Sequence, residues 1–292
     1  MRKILVVTLI FCAVQLRGAD FSEIKKEIEA KESALILATS EAEKSRLLYE
    51  LALAYFQDQE TEKAFLHFLE ALKWVEAKTP PPMDFTESSL YNRALDLYLS
   101  GESADPTLRA KELLESYGEC AAQNPHYLHL NFLVATAFAN LGRYGEFFER
   151  FYKGYAYLQQ SFLAYKTRGI LCVRLSQHCK SSDLRCILRG EAMHYLTHAL
   201  NLKPNDPSLY RTLVFLAKDE KNEEMILTYL QRLIENQVGI ARGDICLYVK
   251  EAVALGDYKL GQALIDLAKR FYEYSRALSC AQEYLNQKTR IE

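Results

Sequence analysis

The chain has 292 residues, of which 49% are hydrophobic and 25% charged, and a formal net charge of −2. These proportions, with only 12 Gly and 7 Pro, exclude a disordered or fibrous chain. The mild acidity and the lack of any Lys/Arg cluster interleaved with aromatics exclude the basic footprint that nucleic-acid binding needs.

The first residues differ from the rest. "MRK" precedes an apolar run from Ile4 to Leu16, followed by "RGAD". A basic start, a short apolar stretch and a small residue at Ala19 predict a signal peptide over 1–19. The run is shorter than the roughly 20 residues that span a bilayer. Arg17 sits where a small residue is favoured, which leaves an uncleaved anchor or a buried first helix as alternatives. Cys12 follows Phe11 rather than a small residue, which argues against lipid attachment. Cleavage after Ala19 removes Arg2, Lys3 and Arg17 and no acid, so the formal charge moves from −2 to −5. The expected localisation is periplasmic or secreted, with membrane association only through a partner or an uncleaved leader.

From Phe21 onward, apolar residues recur at helical spacing and strand-like alternation is missing. Residues 20–44 predict an entry helix with Ser22 as its cap and Ile24, Ile28 and Leu35 on one face. "YELALAYFQDQETEKAFLHFLEAL" then predicts two helices joined at "QDQET". Leu48, Leu51, Ala52 and Tyr55 share a face of the first, and Ala64, Phe68, Ala71 and Leu72 a face of the second. A short polar link folds such helices back as a hairpin. Small residues let the axes approach, while aromatics fill the gap one turn away.

"KTPPPMDFTES" interrupts the pattern, giving an expected loop over 79–87. A unit over 87–125 carries the insertion "GESADP" between its helices. The hairpin pattern returns around Ala135 with "LGRY" at a turn and around Val249 with "LGDY". "EAMHYLTHALNLKPNDP" places Ala192, Leu196 and Ala199 before a terminating Pro204. The following stretch places Leu213, Val214 and Ala217 before Ile226, Leu230 and Leu233. The expected frames are 45–78, 128–161, 173–206, 207–240 and 242–275, with 276–292 as a C-terminal capping helix.

This pattern resembles the tetratricopeptide repeat family, whose unit is a helical hairpin of about 34 residues. Tyr55, Ala64, Phe68 and Ala71 match its small, aromatic and turn positions, as do Gly142 with Tyr144, Gly256 with Tyr258, and Ala192 with Ala199 and Pro204. Phe147 departs from it, and so do Cys179 and Lys180, which fall where apolar and small residues belong. The resemblance implies an all-α fold, a right-handed superhelical array of antiparallel hairpins over 45–275 in five or six units. It also implies a concave face, lined by the first helix of each hairpin, that binds a partner peptide or helix.

The residues expected on that face are Arg46, Tyr49, Leu53, Phe56, Phe132, Thr136, Arg211, Phe215, Lys218 and Lys250. Aromatics beside cations suit an apolar segment carrying acidic groups. The alternative is that Tyr49, Phe56, Phe132 and Phe215 complete packing against neighbouring elements. The Lys and Asn set that clamps a terminal carboxylate in some chaperone cofactors is not matched, since Tyr49 and Leu53 hold the corresponding places.

Cys172, Cys179 and Cys186 stand seven apart, a helical rise of about 10 Å that a disulfide cannot bridge within one helix. A turn near "CKSSD" would let Cys172 and Cys186 face each other, so a bridge is one expectation. Small buried apolar residues are the other. Glu191, His194 and His198 have metal-compatible helical spacing, but the repeat face of that helix is Ala192, Leu196 and Ala199. No phosphate-binding, zinc-protease or nucleophile-elbow motif occurs. No cofactor, metal or small-molecule substrate is expected, and the function implied is a non-catalytic interaction scaffold of a bacterial envelope. A cytoplasmic secretion chaperone, or a metal- or Cys-dependent helical enzyme, is the alternative.

Overall fold

An amphipathic helix leaves one apolar stripe that only a neighbour can cover, so a chain made of such helices must pack them on one another. The computed structural model describes residues 21–100, 105–272 and 275–289. The expected leader over 1–19, with Cys12, lies outside the described residues. Fourteen α-helices and no strand occur among the described residues. They are α1 (Phe21–Leu37), α2 (Glu41–Gln57), α3 (Thr61–Lys73), α4 (Phe85–Ser100), α5 (Pro106–Gln123), α6 (Leu128–Asn140) and α7 (Tyr144–Leu158). The second half holds α8 (Phe162–His178), α9 (Ser182–Leu202), α10 (Pro207–Asp219), α11 (Glu223–Glu235), α12 (Arg242–Ala254), α13 (Tyr258–Lys269) and α14 (Arg276–Thr289).

Local chemistry explains most boundaries. Ser40, Ser161, Ser181, Asn222 and Asp257 each accept a hydrogen bond from the backbone N–H three residues on, the standard N-cap bond. Asp105 and Asp206 cap helices whose first residues are Pro106 and Pro207, where a missing N–H loses nothing. Consecutive helices α2–α3, α6–α7, α8–α9, α10–α11 and α12–α13 pack together. The links are too short for anything but an antiparallel return.

Four of those links share one turn geometry. Gln59, Gly142, Lys221 and Gly256 take φ of 63°, 72°, 54° and 79°. In each, the next residue's N–H donates to the carbonyl five residues back: Glu60 to Tyr55, Arg143 to Phe138, Asn222 to Ala217 and Asp257 to Ala252. The left-handed residue's own N–H donates to the carbonyl three back. This is the helix C-cap that glycine favours, since it has no Cβ to clash. Gln59 and Lys221 adopt it without that advantage.

One expected frame is displaced, and one unit packs out of sequence order. The unit placed over 173–206 begins at Phe162: α8 is its first helix, and Cys179 and Lys180 lie in the turn before α9. Ser161 and Ser181 cap the two helices, which moves the frame upstream. The α4–α5 unit does not sit between the hairpins that flank it in sequence. α2 packs on α7, and α3 on both α7 and α8, while α4 and α5 pack on α6. The proline-rich link, which ends where Phe85 opens α4, connects α3 to this unit. At its start the Lys78 N–H donates to the Ala156 carbonyl on α7 at 2.7 Å.

The seam between α3 and α7 holds an aromatic core. Phe68 stacks on Phe148 with centroids 4.2 Å apart, and Phe65 meets Tyr144 edge-on at 4.6 Å. Phe151 reaches from α7 to Phe132 on α6 at 4.3 Å and to Phe147 at 4.8 Å. Phe68, Phe132, Phe147, Phe148 and Phe151 are fully buried.

The α8–α9 pair approaches most closely at Gly169. A Cβ there would lie 2.6 Å from Leu196 Cγ and 3.2 Å from the Leu196 backbone N. Gly190 on α9 faces open space. Gly169→Ala is therefore expected to lower stability by about 1–2 kcal/mol, because overpacking outweighs the helix-propensity gain of about 1 kcal/mol. Gly190→Ala is expected to raise it by about 0.5–1 kcal/mol. Urea denaturation giving both changes the same sign would refute the close contact.

Candidate functional site

α6, α8 and α10 each open a hairpin, and their polar residues converge. On α8, Lys166, Ile170 and Arg174 recur every fourth residue, which puts them on one side. Thr136, Ala139 and Asn140 face them from α6, and Ser208, Arg211 and Thr212 from α10. Tyr98 of α4 and Arg109 of α5 close the end, giving a pocket of about 340 Å³. That is at the lower end of ligand pockets, with room for a side chain or two rather than a cofactor.

The pocket is lined by four cations and by no acidic side chain. Lys166 Nζ lies 2.6 Å from Asp206 just behind it. Burial alone would push the Asp206 carboxyl up, but Lys166 and the Ser208 hydroxyl and N–H more than reverse this and hold it below its usual value. Arg211 Nε lies 3.3 Å from Asp244, whose carboxyl burial pushes up while Arg211 opposes the shift. Arg109 Nη1 donates to the Tyr98 carbonyl at 3.0 Å, and the Tyr98 hydroxyl accepts from Asn140 at 2.9 Å. Arg174 Nη1 donates to the Ala139 carbonyl at 2.7 Å and to the Tyr144 hydroxyl at 3.3 Å. No carboxylate lies within 4 Å of Arg174 among the described residues. Its Nε and Nη2 donors make no hydrogen bond to another described residue. Chemically, the pocket offers the Arg174 guanidinium, the Tyr98 hydroxyl and the Asn140 amide to an anion with two or more oxygens, since the Thr136, Ser208 and Thr212 hydroxyls already donate within the protein.

Of the ten residues expected to face a partner, Thr136 and Arg211 line this pocket. Thr136 is itself buried and donates to the Leu133 carbonyl. Phe132 is fully buried against Phe151, so it is core and not contact surface. Tyr49 stacks on Tyr152 at 4.1 Å, and burial, aided by the nearby Glu149, pushes its hydroxyl up to about 12. Phe56 meets Tyr144 and Phe148 edge-on, and Leu53 packs half-buried on the core. Tyr49 and Phe56 serve the α2–α7 seam, and Leu53 lies between them on the same side of α2. Arg46 is exposed and pairs with Glu50. On α10, Phe215 is half-exposed and Lys218 pairs with Glu251 of α12. Lys250 lies over the Tyr284 ring of α14 at 5.4 Å.

The pocket cations Lys166 and Arg174 were legible only through the correct frame. Ser161 as a cap, with Lys166, Ile170 and Arg174 at fourfold spacing, was the signal.

The expected Cys172–Cys186 bridge is absent, and all six described cysteines are free. Cys172 points into the α8–α9 interface with Sγ 3.8 Å from Glu191 Oε2, and burial pushes its thiol up to about 12. Cys186 is exposed on α9. Glu191 is held by Lys73 and Cys172, while His194 and His198 turn to Tyr195 and Tyr165. No group of three His, Cys, Asp or Glu is arranged to hold a metal among the described residues. No helix among the described residues is long and apolar enough to cross a membrane. No family model matches the chain, and no curated protein matches it.

Proposed function

We propose that the chain is a non-catalytic interaction module that holds a partner protein by seating one of its acidic side chains in the α6–α8–α10 pocket. The observation that carries this reading is a cluster of four cations with no acid among the lining residues: Lys166 and Arg174 on α8, Arg211 on α10 and Arg109 on α5, with α6 supplying the facing wall. In a repeat array that curls into a superhelix of tetratricopeptide type, those helices form the concave face, so the pocket supports that arrangement. Phe215, half-exposed one turn beyond Arg211, offers an apolar neighbour for the residue beside the acid. The partner segment is therefore extended and apolar, with a Glu or Asp at its centre. Under this reading the chain works in a bacterial envelope, reached through the segment 1–19.

Fluorescence polarisation with labelled nonapeptides tests it. One set carries a central Glu between apolar residues, and the matched set carries Gln. Glu peptides are expected to bind and Gln peptides to bind at least about tenfold more weakly. Arg174→Gln and Arg211→Gln should each weaken Glu-peptide binding, Arg174→Gln by about 2 kcal/mol, a thirtyfold change. Equal binding of the two sets, or competition by inorganic phosphate as strong as by the Glu peptide, would refute the reading.

A further inference from the structure

The last helices bring two cysteines together. Cys246 lies on α12 and Cys280 on α14, and their sulfurs are 3.4 Å apart. The two helices pack against each other, with α13 beside both. Their register is fixed by a second contact one turn on: Lys250, four after Cys246, lies over Tyr284, four after Cys280. Both pairs advance in the same direction, so α12 and α14 run parallel. Beneath them Gly261 of α13 leaves room for Val249, Val253 and Leu285 to converge, which holds the two helices at this spacing. A disulfide needs a sulfur separation of about 2.0 Å, and the two sulfurs already stand at 3.4 Å.

We propose that Cys246 and Cys280 are a thiol–disulfide pair, oxidised by exchange with an external disulfide, that staples helix α14 to α12. Cys280 is exposed and Cys246 half-buried, which sets the order of events. The Cys280 thiol loses its proton to solvent, and its sulfur attacks one sulfur of the external disulfide. That S–S bond breaks, a mixed disulfide forms on Cys280, and the first thiolate leaves and takes up a proton. Cys246 then loses its proton and attacks the Cys280 sulfur, expelling the second thiolate. The two cysteines together lose two electrons and two protons, and the external disulfide becomes two thiols. Burial, with Cys280 beside it, pushes the Cys246 thiol up while Lys250 opposes this, which suits Cys246 to the second step rather than the first. The inference is independent of the anion pocket.

The staple has a mechanical role. α14 buries only Leu278, Ala281 and Leu285. A helix held by so few buried side chains opens readily. The covalent link makes its separation from α12 impossible without reduction.

The test uses the full chain, incubated with oxidised glutathione, then unfolded, alkylated without reduction and digested with trypsin. The expected product joins the fragment 243–250 to the fragment 277–288, while Cys120, Cys172, Cys179 and Cys186 remain alkylated. Separate glutathione adducts on Cys246 and Cys280, or a dominant link to any other cysteine, would overturn the pairing. Limited proteolysis then reads the role: cleavage within 276–289 should be at least about tenfold slower in the oxidised than in the reduced chain. Cys280→Ser, at an exposed position, should abolish that difference. Equal cleavage rates in the two redox states would overturn the stapling.

Discussion

Phe151→Ala should lower the unfolding free energy by about 3–5 kcal/mol, the usual result of emptying a fully buried aromatic site. The ring touches Phe132 of α6 at 4.3 Å, Phe147 at 4.8 Å, Tyr155 at 5.6 Å and Phe68 of α3 at 6.2 Å. It therefore links the first hairpin to the α6–α7 hairpin. Neighbouring rings held on three helices cannot all close into the space, so the cavity stays. A domain has only about 5–15 kcal/mol in total, so the loss is a large share of it. Tyr49→Ala, which removes a half-buried ring from the edge of the same seam, should cost roughly half as much. Urea denaturation followed by circular dichroism measures both. A loss under about 1.5 kcal/mol for Phe151→Ala would mean that the α3–α6–α7 packing is wrong.

Asp206→Ala should cost about 3–4 kcal/mol, for two separable reasons. Asp206 caps α10 by accepting from the Ser208 N–H at 2.9 Å, and losing such a cap costs about 1 kcal/mol. It also neutralises Lys166 at 2.6 Å, where the side chains are only 7% and 15% exposed. Removing one partner leaves an uncompensated, largely buried charge, which is the larger part of the cost. Asp206→Asn keeps an acceptor for the cap and should cost about half as much. The pH dependence has a definite sign. The folded carboxyl is held below its ordinary value of 3.8, so its contribution is whole above about pH 4–5. It is lost as pH falls through the folded value. Thermal unfolding from pH 7 to pH 2 should show the wild type losing more stability below about pH 4 than Asp206→Asn does. Parallel profiles would rule out the paired carboxylate.

Much of the fold could be read from the chain alone, and the limits have physical causes. Gly142 and Gly256 announce their turns because a left-handed residue favours glycine. Gln59 and Lys221 make the same turn without any such mark, and only the polarity of the link hinted at it. The hairpin around α8 was framed too late because Cys179 and Lys180 were read as helix, whereas the caps at Ser161 and Ser181 set its bounds. That error hid Lys166 and Arg174, and with them most of the pocket. Periodicity says which side of a helix is apolar, but not which neighbour covers it. Tyr49, Leu53 and Phe56 form a second, half-apolar side of α2, which suited a binding face equally well. It is α7 that claims this side, because α2 and α3 pack directly on α7 while α4 and α5 pack on α6. Phe132 is likewise covered by a neighbour that periodicity does not name, since Phe151 and Gly154 of α7 close on it.

The displaced α4–α5 unit also sets a clock. Phe68 and Phe148 stack although about 80 residues of chain separate them. Closing a loop of that length costs on the order of 4 kcal/mol in chain entropy, whereas each hairpin turn closes over a handful of residues. Hairpins therefore form early and the α3–α7 seam late. A chain delivered N-terminus first carries Phe65 and Phe68 uncovered until α7 has emerged. At ribosomal rates of roughly 5–20 residues per second, that interval is on the order of ten seconds. Throughout it, the first hairpin presents an apolar face with no partner of its own.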